Sequence, residues 1–454
     1  KGLRADGNLF ATQAVSRGAV AIVSEEPPPA NFDVPWVTVP DARLALALLA
    51  ITFYGNPSAE MRVVGITGTN GKTTTAYLLA SIFEAAGIHC GIVGTVAHKV
   101  GDELREATRT TPEAPEIQGL LRDMVAAGCR GCAMEVSSHG LSLRRVDGIT
   151  FAAAVFTNLT RDHLDFHLDM DAYFQAKRRL FEMLPREAPG VINLDDPRGA
   201  GLVELVTRPV SYAVNRPADV TTGPLSFSLE GMIFDVRTPR GPVRVRSSLV
   251  GRPNVYNILA AVAAATALDV PIEAVEKGIQ SLKGVPGRFQ LVSTAKDEVT
   301  VVVDYAHTDD ALRNLLETAR PLATGRLITL FGCAGDRDRT KRPLMGAVAG
   351  RLSDVVVITS DNPRTEDPNR IVEEVRRGLT ADLRRDSAPQ VLSLVDRREA
   401  IARAVELARP GDLVIIAGKG HEKYQVIGDR VIAFDDAVVA REALARRRSN
   451  SGVV

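Results

Sequence analysis

Short runs of apolar and branched residues alternate with longer amphipathic stretches along most of the chain. In the second half, the runs at 299–303, 326–331, 354–360 and 412–417 read as strands. A polar loop follows each one. The loops are Asp304-Tyr305-Ala306-His307, the segment from Gly332 to Arg339, Asp361-Asn362-Pro363-Arg364, and Gly418-Lys419-Gly420-His421-Glu422. Amphipathic helices lie between them, the first over 309–319. Near-continuous apolar strands alternating with helices predict a doubly wound, Rossmann-like parallel sheet, with its ligand edge at the strands' carboxyl ends.

The middle of the chain has the same rhythm. Residues 63–66 end a strand, Gly68-Thr69-Asn70-Gly71 forms a loop, and Lys72-Thr73-Thr74-Thr75 opens an apolar helix that ends near Gly87. Strands are expected at 90–95, 132–136 and 152–158, with helices at 114–127 and 172–181. Residues 201–250 are strand-rich and punctuated by glycine, which suggests an antiparallel excursion. Gly251 to Asn257 caps an alanine-rich helix over 258–268. Before all this, residues 14–23 read as a helix end entering a strand. Pro27-Pro28-Pro29 is a break, 37–39 a short strand, and 41–53 a helix capped by Asp41. Gly284-Val285-Pro286-Gly287-Arg288 is the best linker. The expectation is an α/β protein of three units: 1–58, which lacks an N-terminal portion, a central P-loop unit over 59–285, and a C-terminal unit over 286–454.

Composition changes this picture little. The 454 residues carry 55 basic and 55 acidic side chains, so no basic field points to nucleic acid. The longest apolar stretches are too short to span a bilayer. Four scattered cysteines fit a reducing cytoplasm. Cys129 and Cys132 form a lone C-x-x-C, open to redox or metal chemistry or to a plain turn before a buried strand.

The candidate chemistry centres on residues 61–80. Strand, glycine loop and helix in this order let backbone N–H groups and a helix N-terminus crowd an anion. Lys72 can reach terminal phosphates, and the Thr73 hydroxyl can ligate Mg²⁺. Ile66 stands where the strict motif has its first glycine, so the loop is a shorter version of it. Glu135, at the end of a neighbouring strand, suits a Mg²⁺ ligand or, more plainly, a cap. His163 and His167 are four residues apart and leave open a metal pair or a solvated polar loop. Lys177 reads by default as a surface lysine. In the second half, Arg337 and Arg364 offer forks for carboxylates, Asn362 can donate and accept, and Glu422 can accept from an ammonium. Surface ion pairs are the alternative for each. Both signs together suit an amino acid with more than one carboxylate.

From Gly2 to about residue 440 the chain resembles the Mur ligase family, ATP-dependent amide-forming enzymes of peptidoglycan synthesis. TGTNGKTTT, EVSSHGL, TNLTRDHLDFH, AKRRLF, DYAHT, GDRDRTKRPLMG, DNPR and GKGHE match in order. The last two groups mark the diaminopimelate-adding branch. The resemblance implies that Gly68, Thr69, Asn70, Gly71, Lys72, Thr73 and Thr74 hold ATP and Mg²⁺. Asn254, Asn257, Arg288, Asp304 and His307 match positions near the adenosine and phosphates. Glu135 and His163 match ligands of a second magnesium, and Lys177 a carbamylated lysine, which overturns the surface default. Thr110, Thr111, Ser137 and Arg145 match contacts to a UDP-muramoyl-dipeptide. Arg337, Asp361, Asn362, Pro363, Arg364, Gly418 and Glu422 match the grip on diaminopimelate. The resemblance also implies a cytoplasmic monomer, with no nucleic-acid partner and no membrane insertion. Asp309 and Ala334 depart from the pattern, which has proline and glycine there. The rival readings are a lysine-adding or folylpolyglutamate synthase-like ligase and a non-catalytic P-loop nucleotide sensor.

Overall fold

The structure, a computed structural model, describes residues 6–30, 32–381 and 388–451. Residues 2–5, where the family resemblance begins, lie outside the described residues. The described residues form a two-stranded sheet, a twelve-stranded sheet, a six-stranded sheet and a hairpin of Tyr424–Ile427 with Arg430–Ala433. The first sheet pairs Ile22–Ser24 with Trp36–Thr38. The helix Ala42–Phe53 follows, with the Asp41 carboxylate accepting from Leu44 N at 2.9 Å.

At the heart of the large sheet, Arg62–Thr67 runs parallel between Gly131–Glu135 and Phe151–Phe156. This register brings Gly68, Glu135 and Thr157 to one edge. The helix Lys72–Ala85 packs on Arg252–Ala267, whose alanines are almost all buried, so small side chains allow close helix approach. The expected antiparallel excursion is shorter than its glycines suggested. Arg208–Ala213 continues the sheet parallel to Pro189–Asn193, and antiparallel pairing starts only where Val220–Thr222 meets Gly231–Thr238. The connection 194–207 is long enough for a crossover, which the glycine spacing alone did not reveal.

In the six-stranded sheet the order is Gln290–Leu291, Thr300–Asp304, Leu413–Ala417, Leu327–Phe331, Val355–Ile358 and Gln390–Ser393. All but the first pair in parallel. The last of these strands in the chain, Leu413–Ala417, inserts between the first long one, Thr300–Asp304, and Leu327–Phe331. The four polar loops expected from the sequence therefore lie side by side at one edge.

Candidate active site

The P-loop is held by short polar side chains. Gly68 and Gly71 have φ of +148° and +90°, and a Cβ there would strike Thr157 Oγ1 at 1.8 Å and Asn257 Oδ1 at 2.3 Å. Only glycine fits both the backbone and the space. Thr69 N donates to Asn158 O and Asn70 N to Asn158 Oδ1, each at 2.9 Å, tying the loop to the next strand end. Lys72 folds back over the loop, its Nζ donating to Gly68 O at 2.8 Å and Thr69 O at 2.9 Å. Thr73 Oγ1 donates to Glu135 Oε2 at 3.0 Å, and Thr95 donates to the same carboxylate through N at 2.8 Å and Oγ1 at 2.9 Å. Arg288, the last residue of the expected linker, reaches across, and its Nη2 donates to Thr73 Oγ1 at 3.0 Å. Asn257 Nδ2 donates to Asn254 Oδ1, and Asn254 in turn to Val250 O. The loop and helix start from Thr69 to Thr74, with Glu135, Asn257, Arg288, Asp304 and His307, wall a cavity of about 260 Å³. It shares Asn70, Gly71 and Asn257 with a larger one of about 800 Å³ beside Tyr256 and Leu322.

Lys177 corrects the surface default, since it is 1 % exposed. Its Nζ donates to Gly68 O at 2.9 Å, the same carbonyl that Lys72 uses, and lies 4.3 Å from the Tyr173 ring. Burial, and next the Lys72 charge, hold its pKa well below the ordinary lysine value. His163 has φ +54° and faces Asp162 at 3.4 Å, and burial keeps its imidazole neutral. His167 turns away to Ser138 Oγ at 2.9 Å, and burial holds its pKa at about 4. The two histidines therefore do not converge on one metal. Among the described residues no three His, Cys, Asp or Glu side chains form a cage. The oxygen donors present, Thr73 and Glu135, suit Mg²⁺, which takes one or two protein oxygens alongside substrate phosphates. All four cysteines are buried and free, and burial raises the Cys129 and Cys132 thiols.

The residues matched to the muramoyl end adjoin this group. Thr95 Oγ1, whose hydrogen goes to Glu135, lies 3.0 Å from the Thr110 hydroxyl and can accept from it. Thr111 Oγ1 donates to Glu135 O and accepts from Ser137 N. Ser137 Oγ caps its own short helix, and Arg145 pairs with Glu113 and with Thr111 O. Thr111 and Ser137 therefore hold the backbone around Glu135.

A third cavity, of about 350 Å³ and here the clamp cavity, contains Arg337, Asp361, Asn362, Arg364, Gly418 and Glu422 in its wall. Arg337 is exposed and makes no hydrogen bond among the described residues. Arg364 sits at φ +51°, with Nη1 donating to Gly335 O at 2.7 Å, and Pro363 O packs near Gly335. Asn362 is engaged on both sides: Oδ1 accepts from Val426 N, and Nδ2 donates to Glu422 Oε2, each at 2.9 Å.

Three positioning residues escaped sequence reasoning. Lys419, fully buried, donates to Glu422 Oε2 at 2.9 Å and Asn362 Oδ1 at 3.2 Å. Arg397 pairs with Asp436 at 2.7 Å, both fully buried, and donates to Ser360 O and Ala417 O beneath the two clamp loops. Arg342 grips Glu366, which also accepts from Asp336 N and Arg339, and Arg342 outweighs burial's upward push on that carboxyl, leaving it at about 2. Lys419 and Arg342 lie inside the quoted motifs GKGHE and GDRDRTKRPLMG, but nothing in the spacing marks either as buried, and Arg397 lies in neither.

The 260 Å³ P-loop cavity and the 350 Å³ clamp cavity both include Asp162, His163, Tyr305 and His307 in their walls. The comparisons with known proteins agree with this arrangement. The model described as Mur ligase middle domain matches residues 66–265, and that described as Mur ligase, glutamate ligase domain matches 287–420. The chain is 48 % identical over 454 residues to a Geobacter metallireducens protein named UDP-N-acetylmuramoyl-L-alanyl-D-glutamate--2,6-diaminopimelate ligase, covering 96 % of this chain and 88 % of that one. A solved structure of a ligase of that name superposes with TM-score 0.68 and 36 % identity, over 97 % of this chain and 89 % of the other. A Mycobacterium tuberculosis folylpolyglutamate synthase complexed with ADP and AMPPCP shares the fold at TM-score 0.70 but only 18 % identity, over 89 % and 95 % of the two chains. With its P-loop cavity opening onto a charged clamp and both family models matched along its length, the chain belongs to the Mur ligase family.

Proposed function

We propose that this chain joins meso-diaminopimelate to UDP-N-acetylmuramoyl-L-alanyl-D-glutamate at the expense of ATP, acting as a monomer in the cytoplasm. The single observation that carries this is the shared wall of the two cavities, since one carboxyl group placed there faces both a phosphate donor and an amino acid. The glutamate side-chain carboxylate attacks the γ-phosphate, and the resulting acyl phosphate supplies the leaving group that a carboxylate lacks. Lys72 lets go of its loop carbonyls to meet the triphosphate, and Arg288 adds charge from the opposite side. The base takes the larger cavity beside Tyr256. Two Mg²⁺ ions, when bound, neutralise charge on the transferring phosphoryl, with Thr73, Glu135, His163 and a carbamylated Lys177 to hold them.

Lys177 suits that modification, because a buried amine held neutral is a nucleophile for CO₂ and the product anion balances Lys72. Isotope-labelled bicarbonate should give a carbamate carbon signal that Lys177→Arg abolishes. Arg364 and Arg337 grip the distal carboxylate that lysine lacks. The test is phosphate release with the muramoyl-dipeptide and each of diaminopimelate, lysine and ornithine. Diaminopimelate should be preferred by far. Lysine outrunning it would refute the substrate, and ATP binding without release would point to a nucleotide sensor.

A further inference from the structure

We propose that His307 is the base that takes a proton from the attacking ammonium, an assignment that rests on the acyl-phosphate reading above. The reacting carboxyl carbon must lie where the cavities meet, because it is phosphorylated from one side and attacked from the other. Only Asp162, His163, Tyr305 and His307 wall both, among the described residues. Tyr305 is a phenol whose pKa burial pushes up, so it holds its proton. For Asp162, burial's upward push is outweighed by His163, His307 and Lys341, which makes its carboxylate a weak base. His163 faces Asp162 and belongs to the metal set. His307 remains.

Its tautomer is forced. Nδ1 lies 2.9 Å from Tyr305 O, and a carbonyl only accepts, so Nδ1 carries the hydrogen and Nε2 keeps the lone pair. Nε2 has no hydrogen-bond partner among the described residues, and the ring is half-buried in the cavity wall. The backbone around it is pinned: Ala306 N donates to Asp304 Oδ1 at 2.8 Å, and Thr308 caps the next helix through Ala311 N at 3.2 Å. Burial, and then Lys341 and Arg288, disfavour the imidazolium, while Asp162 favours it; His421 also faces the ring, and the Tyr305 ring lies 4.6 Å away. The balance leaves a neutral ring at neutral pH.

In the step, one ammonium proton passes to Nε2 and the freed nitrogen lone pair bonds to the acyl carbon. The C–O bond to phosphate then breaks, its electron pair leaving with the phosphate oxygen. The second nitrogen proton goes to the departing phosphate, and His307 returns its own proton to water. Nothing is oxidised or reduced.

The experiment uses the full chain carrying His307→Ala, with ATP, the muramoyl-dipeptide and diaminopimelate. Diaminopimelate-dependent phosphate release should fall about 10²–10⁴-fold. Acyl phosphate trapped by hydroxylamine, an amine already neutral at neutral pH, should form within a few-fold of the native rate, which also shows that the variant is folded. Added imidazole should restore part of the turnover, and raising the pH should recover more as the substrate ammonium ionises. Equal loss of hydroxamate and amide formation would assign His307 to phosphate transfer and overturn the proposal. So would amide formation left within a few-fold of native. If the native chain itself forms no hydroxamate, the acyl-phosphate reading falls and this assignment falls with it.

Discussion

At the P-loop the cavity-lining groups are neighbours in sequence and brace one another; at the charged clamp cavity Arg337, Asn362, Arg364 and Glu422 come from three distant loops and are braced from beneath. Lys72 and Thr73 follow directly on the glycines that shape their surroundings, and the contacts run through backbone amides and hydroxyls. Around the clamp, Asn362 and Glu422 rest on the buried Lys419, and the loop backbone at Ser360, Ala417 and Ala334 rests on Arg397 and Arg342. Backbone-built sites tolerate loss of one side chain without losing shape. Sites propped on buried ion pairs do not, because removing one partner strands the other in low dielectric.

Arg397→Met breaks the clamp's support and should cost about 3–5 kcal/mol of stability, read by chemical denaturation, with the phosphate cavity's nucleotide binding retained wherever the chain stays folded. The double change R397M/D436L should recover most of that loss. A small single-mutant effect would mean that the clamp is held otherwise. Lys72→Ala acts on the opposite side of the comparison. It should lower ATP turnover about 10²–10³-fold while leaving diaminopimelate affinity by calorimetry unchanged, and a parallel fall in that affinity would blur the division drawn here. Arg364→Ala should weaken diaminopimelate by about 1.5–3 kcal/mol, seen as a raised KM for the amino acid with that for ATP unmoved.

The smallest contrast is in acid. The His167 pKa, about 4 against an ordinary 6.5, means the unfolded chain binds the extra proton, so this contribution is whole above pH 6.5 and fades as pH falls toward 4. For Glu366, about 2 against 4.5, the contribution is whole above pH 4.5 and fades toward 2. Hydrogen exchange at stepped pH should therefore show the central unit loosening before the clamp. His167→Gln should flatten the upper limb and Glu366→Gln the lower.

The sequence alone determined the strand–loop–helix order, the residues that form the P-loop and line its cavity, and the four polar loops at a common sheet edge. These rest on local periodicity and contiguous motifs, which survive without knowledge of what packs on what. Strand placement at 208–213 did not, because hydrophobic pattern does not distinguish a crossover from a hairpin. Tertiary structure alone decided that Lys177 is buried against the P-loop, that Asn362 is already engaged, and that His307 stands where two cavities meet. Each depends on groups more than fifty residues apart in the chain or on a backbone carbonyl aimed at a ring, and side-chain identity encodes neither. Arg342 and Arg397 show the same limit: an arginine on a helix reads as solvated until the fold closes over it.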